Sequence, residues 1–403
     1  MSSLAPAVSD FPVIDDDPFS LEFLDDPFPA HERMRAAGDV FSIPKYGIYG
    51  MARFAPVYEA MRDWRRYASG PGVGISDNRK APNPVLKRKL TLEIDPPEHG
   101  RYRQFLSRTL APVNLKKMME EANLEADRLA GRLLEQGVID VVRDIAEAFV
   151  LKVFCDAIGF RTEYRELFLQ FSHGVFNSMG PEGPLREETD AIGTGLYNWV
   201  ISRCQRDALE PGGIGRLIYD AADRGEIDPK DVELLIRPLT SAGIDTTVAS
   251  IGTAVHCLAE HPEQWELLKA DRGLAGAAFE EGIRWTSPIQ TFFRTTTCAV
   301  EVGGGVIPPE SKVLMSIGAA NRDPQRWENP AEFRIDRPQL PHMGFGSGIH
   351  TCVGQPVARF EGVAILSALA RRIGRFEPLG EPVYKMNNSM RVLKTCPVRV
   401  HAA

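Results

Sequence analysis

The stretch Phe345-Gly-Ser-Gly-Ile-His-Thr-Cys352-Val-Gly354 constrains this chain more than any other. It sets one cysteine among closely spaced glycines, directly before a segment with helical apolar spacing. In that segment, Gln355 to Ile373, the apolar residues are Val357, Phe360, Val363, Ile365, Leu366 and Leu369. A cysteine at a helix entrance meets unpaired N–H groups and the positive end of the dipole, which favour its thiolate. Gly346, Gly348 and Gly354 let the backbone take positive φ or pass close to a flat partner. Such a sulfur suits the axial position of a metal macrocycle. Taken alone, a cysteine in a glycine-rich turn also reads as a small buried apolar side chain.

The complete pattern Phe-x-x-Gly-x-x-x-Cys-x-Gly separates these readings. It resembles the haem-ligand signature of the cytochrome P450 family, and every position matches. The resemblance implies haem b ligated by the Cys352 thiolate, with Phe345, Gly346, Gly354 and, on the far side, Ala242 against the cofactor. It implies a mainly α fold with a minor β portion, triangular in outline. The haem would lie between a long distal helix and the proximal cysteine loop and helix.

Composition limits what else the chain can be. At 403 residues it is long enough for one large core, and we expect a single domain over 1–403 with residues 1–27, rich in Pro and Asp, as an extended N-terminal arm. A net charge of −7 gives no sign of nucleic-acid binding. The six cysteines form no Cys-x-x-Cys pair, which argues against a zinc site or disulfide framework and for a reducing, cytoplasmic setting. No run nears the ~18 apolar residues of a membrane span. Met1 to Asp17 holds no Lys or Arg, so a signal peptide's basic start is missing. Membrane-bound relatives of the resembled family carry an anchor there, so a soluble, bacterial-type, monomeric enzyme is expected.

Along the chain, apolar spacing predicts helices at Pro29–Ala37, Ala55–Trp64, Pro97–Leu110, Leu115–Gly137, Val138–Ile158, Thr162–Met179, Thr189–Asp207, Glu263–Ala270 and Ala275–Trp285. Asp228-Pro229 is a helix start, and the helix it opens can run to about His261. Strands are expected near Val40–Ala52, Cys298–Val302, Lys312–Ser316 and in the tail Val383–Val400. Ser69 to Pro84 breaks all periodicity with Gly70, Pro71, Gly72, Gly74, Pro82 and Pro84, and so long a loop in a compact fold is usually functional.

Within the long helix lies Ala242-Gly-Ile-Asp245-Thr246-Thr247. An acid and a hydroxyl beside glycine are locally unfavourable there. One reading is a threonine bonded back to the preceding turn. The other is that Gly243 and Thr246 loosen the helix and make room for O2 and water, with Asp245 passing protons and Thr246 positioning them. The family resemblance implies the second, an acid–alcohol pair that supports O–O cleavage. Glu281-Gly-Ile-Arg284 would alone be a weak surface pair. The resemblance implies a buried structural trio of Glu281, Arg284 and Arg337. It also implies that His99 and Arg103, four apart on one helix face, contact the haem propionates together with Arg294 and His350.

Thiolate ligation pushes electron density toward iron and favours O–O cleavage. The resemblance therefore implies a monooxygenase. No flavin or iron–sulfur motif is present, so electrons would come from a ferredoxin and its reductase. Arg101, Arg108, Lys116, Lys117 and Arg359 are candidates for a basic docking patch. A peroxide-driven peroxygenase is disfavoured by the intact Asp245–Thr246 pair, and a haem sensor or carrier is the non-enzymatic alternative. Val73, Ser76, Phe176, Met179, Arg237, Ser241, Ala242, Ile289 and Phe292 are the substrate candidates. Phe176, Met179, Ile289 and Phe292 would form a flat apolar slot for an aromatic ring, although each also reads as core.

Gly72-Val-Gly-Ile-Ser-Asp77, Ser241 to Thr247 and Gln290 to Thr297 are similar to the bacterial P450s that demethylate para-methoxybenzoate. Those enzymes carry a basic residue directly before the Gly-Val-Gly run and a hydroxyl residue after the arginine of the long helix, both helping to bind the carboxylate. Here Pro71 and Pro238 stand at those positions and donate no hydrogen bond. Arg237 and Ser76 remain. Benzoate binding is expected to be weakened or rearranged, and the substrate to be a small aromatic oxidised at a para-alkoxy or para-alkyl group, including neutral phenols and aryl ethers.

Overall fold

The computed structural model describes residues 11–80, 90–161 and 163–403. Residues 1–10 of the expected arm, Pro82 and Pro84 of the broken loop, and Thr162 lie outside the described residues. The architecture is mainly helical with a small β portion, as expected.

The helix Asp245–Glu260 is the centre of the packing. Thr247 to Ala259 are all buried, so this helix has no solvent face and can exist only inside a core. It packs on Ala275–Thr286 and on the segment Val141–Glu147. Gly282 permits the first approach, because a Cβ there would stand 3.0 Å from Ala254. On the cysteine side, Gln355–Arg372 lies against Pro112–Gln136 and Ala275–Thr286. On the other side, Glu166–Asn177 and Pro184–Arg203 pair with each other, and both touch Val232–Gly243.

The largest sheet has strand order Phe41–Ile43, Ile48–Met51, Lys312–Ser316, Thr291–Thr296, Tyr67–Ala68. Only the pairing of Ile48–Met51 with Lys312–Ser316 is parallel. Register sets Arg294 opposite Val313 and Phe292 opposite Met315. The described part of the N-terminal arm lies along this sheet, with Val13 bridged to Ser42. It then forms one helical segment, Leu21–Asp25, whose entrance Ser20 caps by accepting from Phe23 N–H. Among the described residues no helix is long and apolar enough to cross a membrane.

Two expectations from periodicity need correction. Asp228–His261 is not one helix: a 3-10 turn Pro229–Asp231 leads into Val232–Gly243, and the backbone breaks at Ile244 before Asp245–Glu260. The break belongs to Gly243, whose missing side chain admits the Phe154 ring; a Cβ there would sit 2.4 Å from Phe154 Cζ. Val138–Ile158 is not helical throughout either. Val138–Asp140 is a strand paired with Pro397–Arg399, followed by a π-helical stretch Val141–Glu147 and then Ala148–Ile158. That pairing partner is so distant in sequence that no local period reveals it. The helix Ile214–Asp223 and the strand Thr291–Thr296 were not anticipated.

Candidate active site

The cysteine loop is two 3-10 turns, Met343–Phe345 and Gly348–His350, with Gly346 between them at φ 68°. Cys352 N–H donates to the Phe345 carbonyl at 2.8 Å and closes the loop. Gly348 is fixed twice over, by φ 72° and by the Arg62 Cα, 2.8 Å from where a Cβ would be. Cys352 is solvent-accessible as a residue although protein atoms crowd its side chain. Burial pushes its thiol up from the usual value, against the opposing pull of the Gly354 N–H, Arg103, the Gln355 N–H and Arg359. The helix entrance therefore does not hold a thiolate unaided, as the sequence led us to expect. A coordinated metal cation would, because it displaces the thiol proton.

Arg103 reaches back to the Thr351 carbonyl beside the cysteine. His99, one turn earlier on Glu98–Thr109, meets His350 with ring centroids 4.6 Å apart. Burial, then His350 and Arg103, push His99 down to about 4, and its Nε2 has no partner among the described residues. It is thus a neutral donor here and not the cation expected. Arg294 is fully enclosed, among the described residues bonds only the Phe293 carbonyl, and is pushed down to about 10 by burial. Sequence reasoning passed over Asp95, which ties the group together. It accepts from Ser69 N–H (3.1 Å) and Gly70 N–H (2.8 Å) and faces His350 Nε2 at 3.5 Å. Burial raises its carboxyl, but His350 and those two N–H groups hold it below its ordinary value. The available signal was Asp95 standing before Pro96-Pro97, at the mouth of the helix that carries His99.

An accessible cysteine flanked by glycines, with under-compensated buried cations nearby, fits a thiolate-ligated haem and its two anionic propionates. At Gly354 the nearest atom to an added Cβ is Cys352 Sγ at 3.8 Å, so a side chain there would stand beside the sulfur, whereas at Gly346 it is His350 O at 3.7 Å.

At the helix break, Ala242 is accessible while Ser241 and Ile244 beside it are buried. Thr246 Oγ1 donates to the Ala242 carbonyl (2.5 Å) and Thr247 Oγ1 to the Gly243 carbonyl (2.8 Å), so both hydroxyls bond back across a helix that is nevertheless interrupted. Thr246 Oγ1 keeps its lone pairs for an acceptor role. Asp245 is buried, and its Oδ2 has no hydrogen bond among the described residues but lies 3.7 Å from His173 Nδ1. Asn387 Nδ2 contacts that same Nδ1 at 3.1 Å. Neither His173 nor Asn387 was anticipated.

The broken loop crosses between the sheet and the helices above it. Phe293 N–H donates to Val73 O, and Ile75 N–H donates to Met179 O, each at 2.9 Å. Lys312, pushed down to about 8 by burial, fastens the loop from below through the Gly72 and Gly74 carbonyls. Val73, Phe176, Met179, Ser241 and Ile289 are buried, whereas Ser76 and Phe292 are partly accessible. Arg237, one of the two remaining candidate anchors, already has a partner. Its Nε is 2.7 Å from Glu233 and its guanidinium stacks on Tyr197, so its charge is balanced, though Nη2 has no partner among the described residues. Pro71 is buried and Pro238 lies inside its helix.

Glu281, Arg284 and Arg337 meet in the core. Arg284 donates to both Glu281 oxygens at 2.7 and 2.8 Å, and Arg337 Nε to one of them at 3.3 Å. Of the basic residues expected to form a docking patch, Arg101, Arg108, Lys116 and Lys117 are exposed, but Arg359 is tied to Glu280 and stacks on Phe345. It is less free for docking than expected.

A cytochrome P450 family model matches residues 213–400. The chain is 44% identical over 388 residues, 96% of its length and 94% of the relative's, to cytochrome P450 CYP199A2 of Rhodopseudomonas palustris. It is 32% identical over 392 residues, 96% and 78%, to the beta-dihydromenaquinone-9 omega-hydroxylase of Mycobacterium tuberculosis. Among solved structures, cytochrome P450 CREJ in complex with (4-ethylphenyl) dihydrogen phosphate superposes with a TM-score of 0.84 at 25% identity, covering 96% of this chain and 99% of that one.

Proposed function

This chain belongs to the cytochrome P450 family, an enzyme of the monooxygenase class with thiolate-ligated haem b, and on that premise we propose that it oxidises a small aromatic substrate at a para-alkoxy or para-alkyl group. When bound, the haem supplies O2 activation with two electrons, so that one oxygen atom enters the substrate.

Cys352 is the metal ligand, and the observation that carries this is its accessible position in a loop closed by the Phe345 carbonyl, with the Gly354 and Gln355 N–H groups acting on it. His99, Arg103, Arg294 and His350 hold the propionates, and Phe345, Gly346, Gly354 and Ala242 lie against the macrocycle. Thr246, whose O–H is donated to the Ala242 carbonyl, accepts a hydrogen bond from water at the helix break. Asp245 holds the proton that water passes inward. Glu281, Arg284 and Arg337 keep the core beneath the cysteine loop rigid. Val73, Ser76, Phe176, Met179, Ser241, Ile289 and Phe292 shape the substrate space, and Arg237 offers it a hydrogen bond through Nη2.

Two similarities support an aromatic substrate: the match to CYP199A2 over nearly the whole chain, and the similar fold of an enzyme solved with a para-ethylphenyl ligand. Electrons come from a ferredoxin and its reductase, docking near Arg101, Arg108, Lys116 and Lys117. The enzyme acts as a cytoplasmic, single-domain monomer. The test is turnover of para-methoxyarenes with NADH, a ferredoxin and its reductase. One phenol and one formaldehyde per O-demethylation are expected, with the oxygen drawn from O2. A preparation that shows the thiolate–carbon monoxide band but yields neither product from a panel of para-alkoxy and para-alkyl arenes would reject the substrate reading.

A further inference from the structure

A second group of cations gathers around the Phe28 ring, at the start of the helix Phe28–Ala37. The Arg322 guanidinium carbon lies 3.7 Å from the centre of that ring and 4.4 Å from the centre of the Trp285 ring. The Arg391 carbon lies 5.2 Å from the Phe28 centre and 3.6 Å from the Tyr384 centre. Arg35, two turns along the helix from Phe28, donates to the Ala319 carbonyl at 3.0 Å. Burial first, then Arg35, Arg322 and Arg391, push His31 down to about 3, so all three charges act on one small region.

None of these arginines makes an ion pair with a carboxylate among the described residues. Asp323 and Glu32 act on Arg35 only from beyond ion-pair distance, and Asp323 is occupied by the Phe54 and Gln325 N–H groups. The bonds that the other two guanidiniums make go to backbone carbonyls, Arg322 Nε to Trp285 at 2.7 Å and Arg391 Nη1 to Asp25. Arg322 Nη2, Arg391 Nε and both ring nitrogens of His31 are buried with no partner among the described residues. Arg391 is 7% accessible and His31 1%, so bulk water does not satisfy them. Burial, then Arg284, Arg391 and Arg35, push Arg322 down to about 9. Aromatic faces attract the cations, but they carry no net charge and accept nothing from the N–H groups at a guanidinium edge. Stacking instead fixes the plane of each fork, so its edge donors point in set directions. Like charges held together away from water favour an anion between them.

We propose that Arg322 Nη2 and Arg391 Nε, with Arg35 and His31 beside them, bind a tetrahedral oxyanion of the phosphate or sulfate class, either free or as the head of a monoester. Several oxygens on one centre match two planar forks, and a charge of about −2 offsets cations that have no carboxylate. Phe28, Trp285, Arg322 and Tyr384 are each partly accessible, so the ion enters from the surface. Once bound, it joins the helix Phe28–Ala37 to the segment that carries Arg391. The Arg391 N–H donates to the Pro288 carbonyl, and Met390 bridges to Ile289, so the N-terminal helix is tied to one wall of the proposed substrate space. The site does not depend on the substrate being aromatic.

The experiment is equilibrium dialysis of the holoenzyme against radiolabelled inorganic phosphate, at an ionic strength held constant with chloride, for the wild type, Arg322→Gln, Arg391→Gln and Arg391→Lys. The wild type should bind phosphate saturably, with sulfate competing. Competition by glycerol 3-phosphate would extend the site to monoesters, and its absence would confine the site to the free ion. Losing a charged hydrogen bond from a desolvated site weakens binding about 10- to 100-fold. Each Gln variant should show that loss, with Arg391→Lys in between. Phosphate should also raise the wild-type urea midpoint above that in chloride of equal ionic strength, and the gain should shrink in the variants. The thiolate–carbon monoxide band reports the folding of each variant. If neither Gln variant folds, Arg35→Gln at the rim takes their place, with a loss of about 3- to 10-fold expected. No saturable phosphate binding by the wild type, unchanged affinity in the folded variants, or equal stabilisation by chloride would overturn the site and leave a purely structural stack of arginines and rings.

Discussion

Replacing Glu281 with Gln should destabilise this protein more than removing any surface ion pair. Glu281 accepts two bonds from Arg284, one from Arg337 and one from the Arg334 N–H at 3.0 Å. Glu281 is 4% accessible and Arg284 1%, so the substitution leaves two guanidiniums in the core without a counter-charge. Breaking a buried pair in this way costs about 3–5 kcal/mol, most of it from the stranded charge. The pair Arg33–Asp16 is the contrast, with short contacts but 58% and 19% accessibility, and Asp16→Asn should cost about 0–1 kcal/mol. With a urea m-value of about 3 kcal/mol/M or more for a chain of this size, Glu281→Gln lowers the unfolding midpoint by about 1 M. The double variant Glu281→Gln/Arg284→Met removes the stranded charge on Arg284 and should recover much of that loss. The assay is urea unfolding of the holoenzyme followed by far-UV circular dichroism. A Glu281→Gln midpoint no lower than that of Asp16→Asn, or a double variant no better than the single, would refute the argument.

Three further outcomes follow from buried groups. Neither oxygen of Glu361 has a partner among the described residues, and burial pushes its carboxyl well above 4.5. The unfolded chain then loses this proton first, so stability falls as pH rises above about 4.5, and Glu361→Gln should flatten that slope in urea midpoints measured against pH. His31 has the opposite sign: burial, then Arg35, Arg322 and Arg391, push it down to about 3, and both ring nitrogens are unpartnered among the described residues. The unfolded chain binds this proton first as pH falls from 6.5 towards 3, so stability is lost over that window, and His31→Gln should reduce the loss. Asp245→Asn should slow product formation about 100-fold while leaving the substrate-induced spin shift unchanged, which stopped-flow and titration together would check.

Local pattern was enough to recognise the family and its enzyme class because each of the motifs that carry the resemblance is short. Cys352 with its glycines, Ala242 to Thr246, and the spacing of His99 and Arg103 are all defined within a helical turn or a tight loop, where backbone geometry follows from residue type. The mainly helical class followed from apolar periodicity for the same reason. Tertiary structure decided what depends on distant partners. Gly243 becomes a break only because Phe154 packs against it, and Val138–Asp140 becomes a strand only because Pro397–Arg399 lies alongside. Asp95 gathers Ser69 and Gly70 from one distant part of the chain and His350 from another. Charge balance is likewise a three-dimensional quantity: Arg237, a candidate anchor in the sequence, is paired with Glu233, whereas Arg186 drew no notice and sits weakly paired beside Ser76. Residue type alone states that a charge exists. Burial and neighbours determine whether it is already satisfied or awaits a ligand.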